Sequence, residues 1–396
     1  MEEQTLGYLR GRFGDHYRRS SVSLPPAAAD REWGYIPWTA GPDTTMVRHR
    51  SLHDLGDAEE FLARERPQHV YFSAGRYDDP SANSMAEKGW RGSDLVFDLD
   101  ADHLPSVDLG EDSYPEMLAK CKAELERLLD FLTRDFGFED LTVAFSGGRG
   151  YHVHVRDPAV LEMESDQRRE IVDYVRGTGL SFDALLEREL VAGTAGRQSP
   201  AEKRTLPADG GWGARVVARL NDLLDAVLDA PEDEAVERLS AYDGIGEKKA
   251  QAALGAARRN REAVRQGNVD VHTAMYSLAR AVADETAAEA HAHIDEPVTT
   301  DTNRLIRLPG SLHGGTGLRV CHVDPAALDD FDPLADAVAE TFRGRSVNVD
   351  VTDPGPLTFD GETLTVDAGV QSVPEHAAVF LMARGRAEKA KETTDR

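Results

Sequence analysis

A short apolar segment that ends in two carboxylates constrains the fold of this chain more than any other feature. The run Leu95–Asp100, which reads LVFDLD, has the length and the apolar content of a buried strand. Side chains alternate between the two faces of a strand, so Asp98 and Asp100 project from one face while Phe97 and Leu99 project from the other. The segment therefore predicts a buried strand with a pair of carboxylates at its end.

This carboxylate pair has two interpretations. Two negative charges side by side at the end of a buried strand repel each other, and a bound divalent cation would remove that cost. The alternative is an acidic strand end on an acidic surface, because D-x-D pairs are frequent by chance. The apolar residues that precede Asp98 favour the cation without excluding the alternative.

A glycine-rich turn joins two further predicted strands, Leu141–Phe145 and Tyr151–Val155. In this turn, which reads SGGRG, backbone amides can approach an anion, and Ser146 and Arg149 add side-chain donors. His152 follows in the second of these strands. A tight hairpin turn with a structural histidine explains the segment slightly better when it is considered alone.

Positive charge and glycine come together again in the segment Arg304–Gly317. Arg304, Arg307 and His313 flank a glycine-rich turn in a chain that is otherwise short of positive charge. Because arginine donors of this kind suit polyphosphate, the segment predicts a polyphosphate site. Shortly before it, Asp295 enters a predicted strand at 293–298, and this single acid says little by itself.

The periodicity of the remaining sequence predicts a core that is interrupted by a helical insertion. Apolar runs predict strands at 69–73 and 305–308, an amphipathic pattern predicts a helix over 115–136, and residues 31–52 are expected to be irregular. The predicted segments are residues 1–157 and 267–343 for the two parts of the core, 158–266 for the helical insertion, and 344–396 for a small region of short strands and a helix.

The sequence Gly244-Ile245-Gly246 lies within the predicted insertion and also has two interpretations. It resembles a loop that binds the DNA backbone between two helices, and it equally resembles a simple turn. One short G-x-G is weak support for DNA binding, so the simple turn is favoured.

The charge of the chain is strongly negative. Its formal net charge is −26, and only eight of its 45 basic residues are lysines. Phosphate binding favours basic surfaces, so this charge taken alone argues against nucleic-acid partners. At ~1 M salt, however, the Debye length is about 3 Å, and an acidic surface then keeps a protein soluble without strong self-repulsion. The composition is typical of an organism with molar internal salt and does not exclude DNA binding.

Cysteine content and hydropathy indicate the compartment. Cys121 and Cys321 are the only cysteines, which is too few for a disulfide framework or a complete cysteine zinc site and indicates a reducing environment. No run approaches the roughly 18 apolar residues of a membrane span, and the N-terminus lacks the order of a signal peptide. We therefore expect a cytoplasmic protein with no membrane partner.

Taken in order, these segments resemble the small, catalytic subunit of the archaeal and eukaryotic replicative primases. The resemblance covers residues 5–322, and its archaeal branch fits better, with the acidic composition favouring a haloarchaeal source. It implies an α+β fold, in which the primase catalytic core of mixed sheets flanked by helices carries a helical insertion. The segments that carry it are Lys88–Gly92 leading into Asp98 and Asp100, Ser146–Gly150 with His152, Asp295, Arg307–His313 with Gly317, and the N-terminal Arg31–Gly34 with Arg48.

The resemblance also implies roles for individual residues. Asp98, Asp100 and Asp295 would hold two Mg²⁺ or Mn²⁺ ions for nucleotidyl transfer, because two-metal chemistry needs carboxylates that bridge the ions. Two further sets of residues are implied. The pocket for the incoming triphosphate would contain Ser146, Arg149, His152, Arg307 and His313, and its outer wall would contain Arg48 and Glu32.

The activity implied is the DNA-templated, de novo synthesis of short RNA primers for replication, and DNA primers remain open. The partners implied are a primase large subunit in a heterodimer, a single-stranded DNA template, and NTPs or dNTPs, at the replisome or nucleoid. Two alternatives remain: a polymerase of the same superfamily for gap filling or repair, and a non-catalytic DNA-binding module. The intact carboxylates and histidines argue against the second.

One departure from the family concerns zinc. Members commonly carry a zinc knob after the D-x-D strand, and residues 101–125 of this chain offer only His103 and Cys121. Because structural zinc takes four protein ligands, we expect no zinc here.

The charge balance predicts that salt stabilises the chain and supports its activity. Raising KCl from 0.1 M toward 1 M shortens the Debye length from ~10 Å to ~3 Å, which screens repulsion within the fold and between the chain and DNA. Circular dichroism and a primer-synthesis assay across this range should both show improvement. Full folding and maximal activity at 0.1 M KCl, with loss at 1 M, would contradict the halophilic interpretation.

Overall fold

The computed structural model describes residues 1–39, 45–191 and 201–391, and these form two compact units. The first unit contains residues 1–125, 139–172 and 293–396, and every predicted site residue belongs to it. The second unit contains residues 126–138 and 173–292.

The strands of the first unit pair in antiparallel sheets. Their bounds are β1 Arg31–Ile36, β2 Val47–Arg50, β3 His69–Tyr77, β4 Trp90–Ser93, β5 Leu95–Asp100, β6 Leu141–Phe145, β7 Gly150–Val155, β10 Leu305–Arg307, β11 Cys321–Val323, β12 Ser346–Val351, β13 Gly355–Phe359, β14 Glu362–Val366, β15 Gly369–Pro374 and β16 Ala387–Lys389. The α+β class predicted from the sequence is confirmed.

Two of these sheets build the core. One has the order β10-β3-β1-β2 with β4 beside β3, and the other has the order β11-β6-β7-β5. β7 is buried along its whole length, and its register places His152 opposite Asp98 of β5. The C-terminal region adds the sheet β15-β12-β16 and the hairpin β13-β14.

Helices flank the sheets of this unit. Their bounds are α1 Glu3–Tyr17, α2 Leu52–Leu55, α3 Ala58–Glu65, α4 Met85–Lys88, α5 Tyr114–Asp130, α6 Pro158–Leu161, α7 Ser165–Val175, α13 Glu296–Thr300, α14 Pro333–Asp336 and α15 Glu375–Ala383. The last residues of α5 and α7 belong to the second unit. Among the helices of the described residues, none combines the length and apolar character that crossing a membrane requires.

The second unit is mainly helical and has its own apolar core. It contains α8 Phe182–Leu185, the hairpin of β8 Glu187–Val191 and β9 Ala201–Thr205, α9 Gly211–Leu228, α10 Glu232–Ser240, α11 Glu247–Arg265 and α12 Thr273–Ala290. Ile245, in the turn between α10 and α11, is only 3 % exposed and packs in this core, which gives the isoleucine a structural role.

The structure differs from the sequence predictions at two segments near the site. Residues 31–52, expected to be irregular, contain β1 and β2, because β1 pairs with the longer β3 and buries Trp33. The predicted strand at 293–298 is absent from the described residues; Asp295 instead precedes the short helix α13, with Pro297 in its first turn. Proline is favoured in a first helical turn, since the amide it lacks has no helical partner there.

The compact units also follow different boundaries from the predicted segments. The main segment of the second unit, residues 173–292, begins and ends later than the predicted 158–266, and the unit also includes residues 126–138, which start within α5. Its later end follows from α12, which packs against α9 and α11 and contributes Leu278 and Val282 to their core.

A buried ion network fixes the start of β5. The carboxylate of Asp94, which is 1 % exposed, accepts from Arg31 at 2.8 Å and from Arg156 at 2.9 Å, and it lies 3.2 Å from the Nδ1 of His154. Arg168 donates to the backbone carbonyl of Asp94 at 2.8 Å. Burial alone would raise the pKa of Asp94, but His154 and the two arginines facing the carboxylate hold it well below its usual range.

Removing the Asp94 carboxylate should destabilise the chain strongly. Asp94→Ala leaves buried guanidinium groups without their counter-charge, so the free energy of unfolding should fall by about 3–5 kcal/mol. The matched control is Asp353→Ala, which removes the exposed partner of Arg386 and should cost less than about 1 kcal/mol. Urea unfolding at constant molar KCl measures both free energies of unfolding. Equal decreases in the two variants would contradict a stabilising role for the buried Asp94 network.

Candidate active site

Three carboxylates converge at the end of β5. Asp98 and Asp100 come from one face of this strand, as its alternation predicts. Asp295 comes from a distant part of the chain, and its backbone N–H donates to the carbonyl of Asp98 at 3.0 Å. This hydrogen bond places the third carboxylate beside the other two, although the three are far apart in sequence.

The electrostatics of this group reflect crowding of like charges. Burial raises the pKa of Asp98 to about 6, with further contributions from the negative charges of Asp100 and Asp295 and an opposing one from Arg307. Within the described ranges, none of the three carboxylates forms an ion pair with a lysine or arginine; their near neighbours are the imidazoles of His152 and His103. The site therefore concentrates negative charge that no direct ion pair with an arginine or lysine of the described residues neutralises.

The three carboxylates line one cavity of about 440 Å³. The same cavity has cationic walls, because Arg48, Arg304 and Arg307 also line it. Its remaining lining residues are Met46, Tyr71, His103, His152, Asp301, Asn303, Leu305 and Ile306.

His152 faces Asp98 across the β5–β7 pair. Its Nε2 lies 3.4 Å from Oδ1 of Asp98, and the side chain is almost fully buried. Burial, with the nearby positive charges of Arg307 and His154, lowers the pKa of His152 well below its usual value. Burial therefore favours the neutral imidazole at pH 7.

A second cavity, of about 310 Å³, adjoins the glycine-rich turn. Asp100 and Arg307 line both cavities, so the two spaces adjoin each other at these residues. The other lining residues of the second cavity are Ser146, Gly148, Arg149, His313, Gly315, Thr316 and Arg384. Three arginines around a small cavity form a natural anion site.

His313 sits against the glycine-rich turn. A Cβ on Gly147, whose φ is +75°, would lie 2.7 Å from the Cβ of His313, so this position requires glycine for both conformation and space. The Nδ1 of His313 lies 3.2 Å from the hydroxyl of Thr316, and burial, together with Arg307, lowers its pKa well below the usual value.

Glu32 and Arg48 have different positions relative to the site. Arg48 lines the carboxylate cavity, whereas Glu32 is fully buried and lines neither of the two cavities. Glu32 accepts from Arg48 at 3.1 Å and from the buried ammonium of Lys88. It therefore holds Arg48 in place and lies behind the cavity wall.

The residues present fit divalent cations by their chemistry. Carboxylate oxygens gathered at one place are the hard ligands that Mg²⁺ and Mn²⁺ prefer. Across the described ranges, no three His, Cys, Asp or Glu side chains are gathered closely enough to enclose a metal ion, so the carboxylates form an open lining of the cavity. His103 faces Asp295, while the thiol of Cys121 is buried against the carbonyl of Leu99.

Sequence reasoning gave no individual site role to several residues that line these cavities. Tyr71 lies in β3 and Arg304 directly precedes its partner strand β10, and only the pairing of these strands brings the two residues to the carboxylates. The i, i+3 spacing of Arg304 and Arg307 is the feature from which a site role for Arg304 could have been predicted. Arg384 carries no local signal, because its neighbours in sequence are those of an ordinary helix end.

Comparisons with known proteins identify the family of this chain. The family model of the DNA primase small subunit matches residues 97–324, which include all three carboxylates and both glycine-rich segments. A relative from Haloarcula marismortui, described as DNA primase small subunit PriS, is 66 % identical over 99 % of this chain and 100 % of its own length. Relatives of the same description from Halobacterium salinarum and Methanococcoides burtonii are 63 % and 40 % identical, over at least 98 % of this chain.

The resemblance identified from the sequence, including its haloarchaeal branch, is thereby confirmed. With a matching family model over more than half of its residues and relatives of this identity over nearly its whole length, the chain belongs to the DNA primase small subunit family.

Proposed function

We propose that this chain is the catalytic subunit of a DNA primase and makes short primers de novo on single-stranded DNA by metal-dependent nucleotidyl transfer. The observation that carries the proposal is the position of Asp100, which lines both the carboxylate cavity and the arginine-rich cavity. Nucleotidyl transfer needs a cation site and a triphosphate site side by side, and this residue joins them.

The carboxylates of Asp98, Asp100 and Asp295 would hold two Mg²⁺ or Mn²⁺ ions. Ions bound there would activate the attacking 3′-hydroxyl and neutralise charge on the leaving pyrophosphate. The proposal is supported by β5, which carries Asp98 and Asp100 on one face, and by the hydrogen bond from the Asp295 amide, which brings the third carboxylate to the same cavity.

The second cavity would bind the incoming NTP or dNTP through its phosphates. Arg149 and Arg307 supply charged donors, Ser146 a hydroxyl, and His313 a neutral imidazole held by Thr316. His152 lies beside Asp98 in the carboxylate cavity and, as a neutral imidazole, would add no positive charge there. The 3′ oxygen then forms its bond to the α-phosphorus as the bond to pyrophosphate breaks, in a nucleotide already aligned by these contacts.

The partners that we propose are a primase large subunit, in a heterodimer, and a single-stranded DNA template. The deciding experiment is primer synthesis on unprimed single-stranded DNA, with NTPs and with dNTPs, in the presence and absence of a large subunit. De novo products would support the proposal. Extension of a supplied primer without initiation would instead indicate a gap-filling polymerase, and no incorporation with Mn²⁺ would indicate a non-catalytic module.

Each carboxylate of the group should be essential for synthesis. Asp98→Asn, Asp100→Asn and Asp295→Asn should abolish primer synthesis while leaving circular dichroism unchanged, because two cations need all three charges. Asp330→Asn removes an exposed carboxylate elsewhere in the same unit and should leave synthesis intact. Near-normal rates with Mg²⁺ in any of the three variants would remove that residue from the site.

Divalent cations should stabilise the native chain through the same residues. Mg²⁺ or Mn²⁺ should raise the melting temperature of the wild type but not of Asp98→Asn, because a ligand that binds only the native state stabilises it. KCl of equal ionic strength is the control. An equal rise in both proteins would place the cations elsewhere.

Without divalent cations, in EDTA, the wild type should be less stable than Asp98→Asn at neutral pH. Between pH of about 4 and about 6 the native chain keeps the Asp98 proton that the unfolded chain has released, so the stability of the wild type relative to Asp98→Asn falls as pH rises. At neutral pH the metal-free variant should be more stable by on the order of 2–3 kcal/mol. Identical pH profiles for the two proteins would contradict the crowding of charge at Asp98.

A further inference from the structure

We propose that Arg384, at the end of α15, is an additional nucleotide-binding residue that contacts the phosphates farthest from the reacting phosphorus. The proposal rests on the function proposed above and assigns a role in it to the C-terminal region. Arg384 lies outside the residues that the family model matches, and it lines the second cavity together with Arg149 and Arg307.

The packing of α15 brings Arg384 to this cavity. Val379 of α15 packs against Gly317, where a Cβ would lie 2.4 Å from the Val379 side chain, and the φ of Gly317 is +75°. Gly317 closes the loop that carries His313, since its backbone N–H donates to the His313 carbonyl at 2.8 Å. The loop and the helix are therefore fitted directly to each other, and Arg384 follows one turn after Val379.

An aromatic platform holds the Arg384 side chain. Its guanidinium lies 5.0 Å from the ring centroid of Tyr114 and 5.3 Å from that of Phe380, which meet edge to face at 5.2 Å. The hydroxyl of Tyr114 donates to the carbonyl of Gly148 in the glycine-rich turn. Arg384 is thus connected through Tyr114 to the turn that carries Ser146 and Arg149.

The positive charge around Arg384 favours binding of an anion. Arg149 pairs with Asp102, but neither Arg307 nor Arg384 forms an ion pair with any carboxylate in the part of the chain that the structure describes. Desolvation and the charge of Arg149 lower the pKa of Arg384, against an opposing contribution from Tyr114. Guanidinium groups gathered without counter-charges are what a polyphosphate would neutralise.

The position of Arg384 determines which phosphates of a bound nucleotide it would contact. Arg384 lines the second cavity but not the cavity of the three carboxylates, where the α-phosphorus must lie for transfer. Arg307 lines both cavities and can therefore contact both the α-phosphate end and the γ-phosphate end of a bound triphosphate. Arg384 therefore lies at the β- and γ-phosphate end, and it should contribute to nucleotide affinity much more than to the rate of transfer.

The test measures binding of ATP, ADP and AMP with Mn²⁺ to the full chain at molar KCl, together with primer-synthesis kinetics. Arg384→Ala should weaken ATP binding and raise KM about tenfold, the usual effect of losing one charge-assisted contact, and should change kcat and AMP binding less than about threefold. Arg384→Lys should recover part of the ATP affinity. Arg384→Met keeps the packing on Tyr114 without the charge, so it should behave like alanine even if Arg384→Ala folds poorly.

The matched control is Arg386→Ala, which removes one positive charge two residues away, where the side chain faces Asp353. It should change ATP affinity less than about twofold, because long-range charge effects are screened at this salt concentration. Unchanged ATP binding in Arg384→Met, while Arg149→Ala and His313→Ala weaken it, would overturn the role of Arg384. Unchanged binding in all of these variants would instead move the triphosphate elsewhere and overturn the function proposed for the pocket.

Discussion

The antiparallel pairing of β5 with β7 is the constraint on which the rest of the site depends. The pairing sets Asp98 opposite His152, and it brings the glycine-rich turn at the start of β7 next to Asp100 at the end of β5. Because a shift by one residue would turn every side chain of a strand to the opposite face, the buried apolar face of β5 fixes which face carries the carboxylates. The Asp94 network secures the other end of the same strand with buried ion pairs.

The distribution of charge follows from this arrangement. A chain with a net charge of −26 gathers three carboxylates in one cavity and three arginines around the next, with Asp100 and Arg307 shared by both. Contacts between a guanidinium and a phosphate act at short range, inside the screening length of concentrated salt. The acidic exterior and the cationic pocket are therefore compatible, since they act over different distances.

The sequence predicts those parts of the site whose residues lie close together along the chain. The alternation of β5 predicted that Asp98 and Asp100 share a face, and the glycine-rich turns predicted where an anion could approach. Asp295 came only from the family resemblance, because its position depends on a hydrogen bond to a strand far away in sequence. Glu32 was assigned to the pocket wall, yet it lies behind Arg48, and no sequence pattern distinguishes these two positions. Arg384 could not be predicted, since only the packing of α15 on Gly317 brings it to the cavity.

The position of Asp295 in the chain has a consequence for biosynthesis. The chain leaves the first unit within α5 and returns to it for good at His293, two residues before the third carboxylate. During translation β5, β6 and β7 are made early and can pair while the helical unit is still emerging, since domains fold largely as they leave the ribosome. The carboxylate group, however, is incomplete until the helical unit has been made, and α15 emerges later still. A nascent or truncated chain that lacks these segments has the D-x-D strand but no complete site, so the order of the segments along the chain delays assembly of the site until synthesis is nearly finished.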